Sequence, residues 1–520
     1  MKRVIIWLII SLIFIIFLYL IISFVQHGAS ITKKLKVSIQ KKCKDYEMQF
    51  LGTVDNTFNW VFSKDKMHYA YVSFNKTKNK WFVILDGKKE PEFDGIAEGG
   101  IIFSSDGKRF SYVARKGEKQ LVIVDGKQEP EFDGIGEGSL IFSPDGKKFA
   151  YVAKKGNKWF VIADSKQEPD FDDIVKGSYI FSPDGKRFAY VAKKGEKLLV
   201  IIDGNQGLEF DDIMPGTPIF SPNGKTFAYA AKKGEKYFVI VNDNQGPELD
   251  FIGEGIPIFS PDGKRFAYVA QKGNKWLVIV DGKEEPEFDG IMTGSPIFSP
   301  DGKRFAYAAR RGNKWLVVVD GKEGPEFDAI GQGSLTFSSD GKRFAYGAQK
   351  GNKWLVIVDG KEEPEFDAIM KGTPIFSIDG KRFAYIAKRG DRMLVIIDGN
   401  QEPEFDDIME GTLIFSPDGK RFAYGAKKGD KWFVIVDGNH GPKLDGIMQG
   451  TPIFSPDSKK FAYAAKKGDK EVVIINTKQG PEFDGIMKDS LSYSSSENAF
   501  LYVARSGNSI YLVKSSESCN

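Results

Sequence analysis

One interval governs what this chain can fold into. A phenylalanine followed by serine stands at Phe62, Phe103, Phe142, Phe181, Phe220, Phe259, Phe298, Phe337, Phe376, Phe415 and Phe454, and Tyr493 holds the same place in a final copy. The first step is 41 residues and the other ten are all 39, which makes twelve units without an insertion. A strict period near 40 is the mark of a repeat architecture, in which one unit cannot bury its own apolar faces and must stack on copies of itself.

Each unit reads as four short strands. In the copy at Phe298, "SPIFS" is a first strand closed by the tight-turn signal Pro300-Asp301-Gly302. "KRFAYAA" is a second strand, with Phe305 and Tyr307 on one face and Ala306 and Ala308 on the other. "KWLVVVD" is a third strand, apolar on both faces and so covered on both. "EFDAI" is the expected fourth, short and polar, as suits an edge. A large-aromatic face of one unit can pack on the small-alanine face of the next, which is the logic of a β-propeller blade with its strands running outward from an axis.

The segment "SPDGKRFAYVA" resembles the TolB-type, WD40-like propeller repeat, in which a Ser-Pro-Asp-Gly turn precedes an aromatic-rich strand. The turn is intact at Pro144-Asp145-Gly146, Pro183-Asp184-Gly185, Pro261-Asp262-Gly263, Pro300-Asp301-Gly302 and Pro417-Asp418-Gly419, and drifts at Pro222-Asn223-Gly224, Ile378-Asp379-Gly380 and Pro456-Asp457-Ser458. The resemblance covers about residues 46–515 and implies fold far more than function, because propellers host many functions. The expectation is an all-β propeller of twelve four-stranded blades in one closed ring, with two six-bladed rings as the alternative.

The last unit supplies three strands, at Tyr493, in "AFLYVA" and in "IYLVK", and "YEMQFLGTV" at residues 46–54 stands where a fourth is needed, with Phe50 in the place of the repeat's Glu-Phe phenylalanine. The amino-terminal strand is therefore expected to complete the last blade and remove an open edge. That arrangement brings Cys43 and Cys519, the two cysteines of the chain, into one loop. A disulfide there would add up to about 5 kcal/mol in the chain-entropy model and would place the repeats in an oxidising space. Two unrelated cysteines are the alternative.

The first residues are different material. Residues 4–25 form a run of 22 without a charge, about 33 Å as a helix and long enough to span a bilayer. The run is longer than a signal-peptide core, and "SFVQHGAS" is a poor cleavage site, so an uncleaved signal anchor is expected. Residues 1–3 would be a cytoplasmic end, 26–45 a basic linker, and 46–520 an extracytoplasmic repeat domain. The lysines after the span argue for the opposite orientation, but large domains can cross regardless of nearby charge.

No motif for chemistry or for a cofactor emerges. There is no Gly-x-Ser-x-Gly, and His27, His68 and His440 are the only histidines, with His68 and His440 in separate units. The carboxylates recur in nearly every copy, which fits solvated turns better than one tuned active site. "NDNQG" at residues 242–246 lacks the acid spacing of a calcium loop. A net charge of +4 argues against a nucleic-acid partner. What survives is a surface pattern. The turn between strands two and three is basic, as in Lys193, Lys194 and Lys197; Lys232, Lys233 and Lys236; Arg310, Arg311 and Lys314; and Lys427, Lys428 and Lys431. The turn between strands three and four is acidic, as in Glu284, Glu285 and Glu287, or Glu362, Glu363 and Glu365. The leading expectation is a membrane-anchored scaffold for a protein partner without catalysis. The alternatives are a small-ligand sensor or enzyme with a site in the axial opening, and an anionic polymer or membrane surface bound through the basic turns.

Overall fold

A computed structural model describes residues 46–53, 57–253 and 257–515. The expected anchor at residues 4–25, the linker at 26–45 and both cysteines lie outside these residues. Among the described residues no helix is long and apolar enough to cross a membrane. They form twelve antiparallel sheets.

Blade 7 illustrates the rule. Phe305–Arg311 is the second strand, Lys314–Val319 the third and Lys322–Phe327 the fourth. The first strand is in two pieces, Gly290–Ile291 and Ile297–Phe298, which pair with opposite ends of the second: Ile291 faces Ala309, and Ile297 faces Ala306. The sequence reading placed "EFDAI" in one fourth strand, and the structure divides it. Phe327 pairs with Trp315 of its own blade, whereas Ala329 and Ile330 pair with Gln349 and Ala348 of the next. Asp328 is the joint, its N–H donating to the Gln349 carbonyl. The two flanks of the crossover serve one core: Phe327 from blade 7 and Ile330 from blade 8 are both buried between those blades.

The break in the first strand leaves one N–H in the middle of the second without a backbone acceptor, although the carbonyl of the same residue still accepts, as Val191 does from the Val175 N–H. A buried hydroxyl takes over. The Val191 N–H donates to Ser178 Oγ at 2.9 Å, and the Gly347 N–H to Ser334 Oγ at 3.0 Å. A buried N–H without an acceptor would cost about 1–3 kcal/mol, which explains a Ser or Thr at this point of the repeat.

Each apolar core lies between two consecutive blades. Ala306 and Ala308 of blade 7 pack with Phe344 and Tyr346 of blade 8, so the alanine face of one second strand receives the aromatic face of the next. Eleven such cores join blades 1 to 12 in order, that between blades 6 and 7 being built like the rest. A twelfth joins the last blade to the first, with Leu51, Val503 and Ile510 against Trp60, Phe62 and Tyr69. Two six-bladed rings would need blade 6 on blade 1 and blade 12 on blade 7. The cores instead define one ring of twelve.

The last blade is composite: Tyr46–Thr53 pairs antiparallel with Ser509–Ser515. One detail differs from the sequence reading. A bulge between Phe50 and Gly52 turns Leu51 inward, 5% exposed, and Phe50 outward, 51% exposed. Gly52 takes the register position of the repeat's phenylalanine, opposite Ile510, and Leu51 in the bulge, not Phe50, supplies the buried side chain.

Candidate functional site

The repeated polar residues form two sets of stitches, one on each side of the ring. On one side, the Asp of the Ser-Pro-Asp-Gly turn is held inside its own loop. Asp262 Oδ1 accepts from Ser260 Oγ at 2.7 Å and from the Lys264 N–H at 3.2 Å. These bonds hold its carboxyl below the usual range, the Ser260 bond first. The next blade's Gly302, at φ 72°, lies so close that an added Cβ would stand 2.6 Å from Asp262 Oδ1. Where Ser458 replaces that glycine, at φ 63°, its hydroxyl accepts from the Asp418 N–H at 2.9 Å.

The Asp-Gly of the turn between strands three and four does different work. Asp281 accepts from the Phe266 N–H at 2.9 Å and from Arg265 Nε at 2.8 Å. Arg265 then reaches across to the Lys303 carbonyl of blade 7, 2.9 Å away, and lies 5.4 Å from the centre of the Phe298 ring. Arg109, Arg304, Arg343 and Arg382 each reach the next blade in the same way.

On the opposite side the crossover aspartate is the stitch. Asp172 accepts from Lys158 Nζ of blade 3 at 2.6 Å and from the Gly195 N–H of blade 4 at 2.7 Å. Both bonds hold its carboxyl below the ordinary range, the Lys158 bond most strongly.

This geometry locates the residues of the basic turns. Lys197, Lys236, Lys314 and Lys431 are ion-paired to the crossover residues Asp211, Asp250, Asp328 and Asp445. Lys194 pairs with Glu209, and Arg311 with Glu323. Lys232, Arg310 and Lys427 lie over the rings of Tyr237, Trp315 and Trp432. Lys193 and Lys233 stand near the carboxylates of Asp172 and Asp211. Lys428 has no ion-pair partner among the described residues. The acids Glu284 and Glu362 reach Lys272 and Lys350 at the ends of the second strands, so acid and base meet across the outer half of the blade. Trp315 packs against the core between blades 7 and 8 instead of standing free to stack on a base.

Residues that depart from the repeat are dispersed. Tyr179 borders the core between blades 3 and 4, and Met214 that between blades 5 and 6. Pro215 follows Met214, while Thr336 is in the first strand of blade 8. His440, in the fourth strand of blade 10, meets the Phe405 ring at a tilt and the Phe433 ring edge to face, with Lys443 just beyond it in sequence, and His68 pairs with Asp86 in blade 1 at 2.8 Å. These side chains do not converge on one pocket.

A polar seam between blades was not legible in the sequence. The Glu of the "EP" pair, taken for a solvated turn residue, tucks between blades. Glu285 stands near Gly321 and the Tyr307 hydroxyl of blade 7. Burial raises its carboxyl above the usual range, and Arg265 opposes that shift. Tyr307 is fully buried, and burial followed by Glu285 pushes its phenol up. Glu90 with Tyr112, Glu168 with Tyr190, Glu363 with Tyr385 and Glu402 with Tyr424 repeat the arrangement.

No family model and no curated protein matches the chain. Among solved structures it is similar to a eukaryotic initiation factor, at 14% identity over 65% of this chain and 96% of that one, with a TM-score of 0.33. It is similar to TolB from Acinetobacter baumannii, at 19% identity over 51% and 77%, with a TM-score of 0.22. A third similarity is to the β-propeller domain of Cps50 (Swd1) from Myceliophteria thermophila, at 14% identity over 51% and 98%, with a TM-score of 0.24. The twelve-bladed fold of this chain is read from its own sheets and cores.

Proposed function

We propose that this protein is a membrane-anchored, extracytoplasmic interaction scaffold that presents a twelve-bladed ring to a protein partner and performs no catalysis. The observation that supports this most is the use of the polar side chains. The recurring Asp, Arg and Lys residues are engaged in stitches within and between blades, and the residues that break the pattern at Tyr179, Thr336 and His440 sit in separate blades. A scaffold needs repeated rigid surface, whereas a catalytic centre needs several exceptional groups brought together. Pairing of the basic turns with carboxylates favours a protein partner over an anionic polymer.

The anchor rests on the uncharged run at residues 4–25. The disulfide of Cys43 with Cys519 is part of the same proposal. Tyr46 pairs with Ser515, and in the sequence Cys43 comes three residues before the one and Cys519 four residues after the other. Cross-linking of intact membranes, followed by capture of the chain with and without high salt, tests the scaffold. One protein captured in both conditions is the expected result, and salt-labile capture of polyanion alone defeats it. Protection of the repeats from protease in intact cells would reverse the orientation, and free thiols at both cysteines in non-reducing peptide maps would remove the disulfide.

A further inference from the structure

The interface between blades 4 and 5 departs from the Glu–Tyr arrangement at two points that face each other. Gly207 stands where blade 3 has Glu168, and Asp243, at φ 64°, stands where blade 4 has Gly204. In blade 3 the Glu168 carboxylate lies over Gly204, with Oε2 3.1 Å from where a Cβ would be. Loss of that side chain at Gly207 leaves a cavity of about 170 Å³, lined among others by Arg187, Asp203, Gln206, Gly207, Tyr229 and Asp243.

Arg187 lacks contacts that its counterparts make, and the Tyr229 hydroxyl, like those of Tyr190 and Tyr307 in their interfaces, makes no hydrogen bond to a described group. Arg187 keeps its Nε bond to Asp203 at 2.9 Å, but its terminal nitrogens donate to no described protein group, unlike those of Arg265 and Arg343. It has also lost the neighbouring glutamate that faces Arg265 and Arg343 in their blades. Tyr229 is 1% exposed, and its hydroxyl, 3.6 Å from where a Gly207 Cβ would stand, hydrogen-bonds no described protein group. Asp243 has no ion-pair partner among the described residues, and it lies close enough to add to the burial that pushes the Tyr229 phenol up to about 12. A guanidinium and a phenol with unused donors thus stand on one side, and the exposed carboxylate of Asp243, which has no ion pair among the described residues, stands on the other.

We propose that this cavity binds a small zwitterion, a free α-amino acid with a short side chain. The ligand carboxylate takes the place of the missing glutamate carboxylate against Arg187 and Tyr229. The ligand ammonium faces Asp243. The volume, close to that of a cavity that accepts benzene, suits a ligand of about six heavy atoms. A simple cation would leave Arg187 and Tyr229 unanswered, and a simple anion would leave Asp243 unanswered.

The test is calorimetric titration of the detergent-solubilised full chain with L-alanine and L-serine, with acetate and ethylammonium as half-ligands. Asp243→Gly alone, and Gly207→Glu made together with Asp243→Gly so that the new carboxylate lies over a glycine as Glu168 does over Gly204, restore residues found in other blades, so circular dichroism should show both folded. Saturable binding of alanine or serine is expected, at least tenfold tighter than either half-ligand and at least tenfold weaker in each variant. Absence of amino-acid binding at 50 mM (roughly the weak limit for a few hydrogen bonds) overturns the proposal. So does binding unchanged in the double variant, or ethylammonium or acetate binding as tightly as alanine.

Discussion

The interface between blades 6 and 7 and the one that closes the ring use the same strand positions with different outcomes. Between blades 6 and 7, Ala267, Val278, Val280 and Phe288 meet Phe305, Tyr307, Leu316 and Val318, all buried. At the closure Leu51, Val503 and Ile510 are the buried members of the core among the described residues, and Trp60, Phe62 and Tyr69 are partly exposed. Tyr71 holds the position of Tyr307 yet is half-buried where Tyr307 is fully buried. An ordinary interface is held by its side-chain core. At the closing one the described aromatic side chains are more exposed, and the blade on its carboxy-terminal side is assembled from both ends of the repeat region through the backbone pairing of Tyr46–Thr53 with Ser509–Ser515. The ring is therefore uniform in architecture and uneven in strength.

The strongest way to break the comparison is to delete residues 46–53. Amides of Ser509–Ser515 should then exchange near their intrinsic rates in hydrogen-exchange mass spectrometry, while those of Phe305–Arg311 stay protected. Equal loss in both regions would mean that the ring unfolds as one unit. Next in size, Phe305→Ala should cost about 3–5 kcal/mol locally by denaturant-dependent exchange, and Leu51→Ala about 2 kcal/mol, since its more exposed surroundings leave less to lose. A larger effect at Leu51 would reverse the ranking.

The crossover stitch sharpens the comparison at smaller scale. Asp328, held low first by Lys314 and then by the Gly351 N–H, contributes stability above the unfolded aspartate pKa of about 3.9 and loses it as pH falls through its lower folded value. Asp328→Asn should raise exchange at Gly351 at neutral pH and remove that acid-dependent step. Smallest is Glu285→Gln. A carboxyl raised in the folded state binds its proton more readily there, so stability falls as pH rises from the unfolded glutamate pKa through the folded one. The amide should modestly raise neutral-pH stability of the interface between blades 6 and 7 and change little below the ordinary glutamate range. No gain at neutral pH would mean that the charged form has favourable partners.

Much of this fold was legible because its determinants are local and periodic. Phe305, Tyr307, Ala306 and Ala308 announce two faces of one strand, and Asp281-Gly282, at φ 51° and 78°, announces a hairpin. The crossover was harder. "EFDAI" has the length and polarity of a single edge strand, and only the partner on each side shows that Asp328 divides it. The polar seam escaped for a related reason. Nothing in "KEEPEF" says that Glu285 faces a neighbouring tyrosine while Glu284 faces Lys272. Gly207, a position where Gly246, Gly324, Gly441 and Gly480 also stand, and the unusual Asp243 are 36 positions apart and acquire meaning only when two blades bring them to one cavity.

The sequence by itself determined the blade: its length, its strands, its turns and the complementarity of its two faces, because these depend on alternation and turn chemistry within about 40 residues. Tertiary structure decided what links blades. It made one ring of twelve, put Leu51 inward in place of Phe50, and turned recurring carboxylates into stitches. Those outcomes depend on contacts between copies, and a repeated sequence describes every copy in nearly the same words without saying which residue of one will meet which residue of the next.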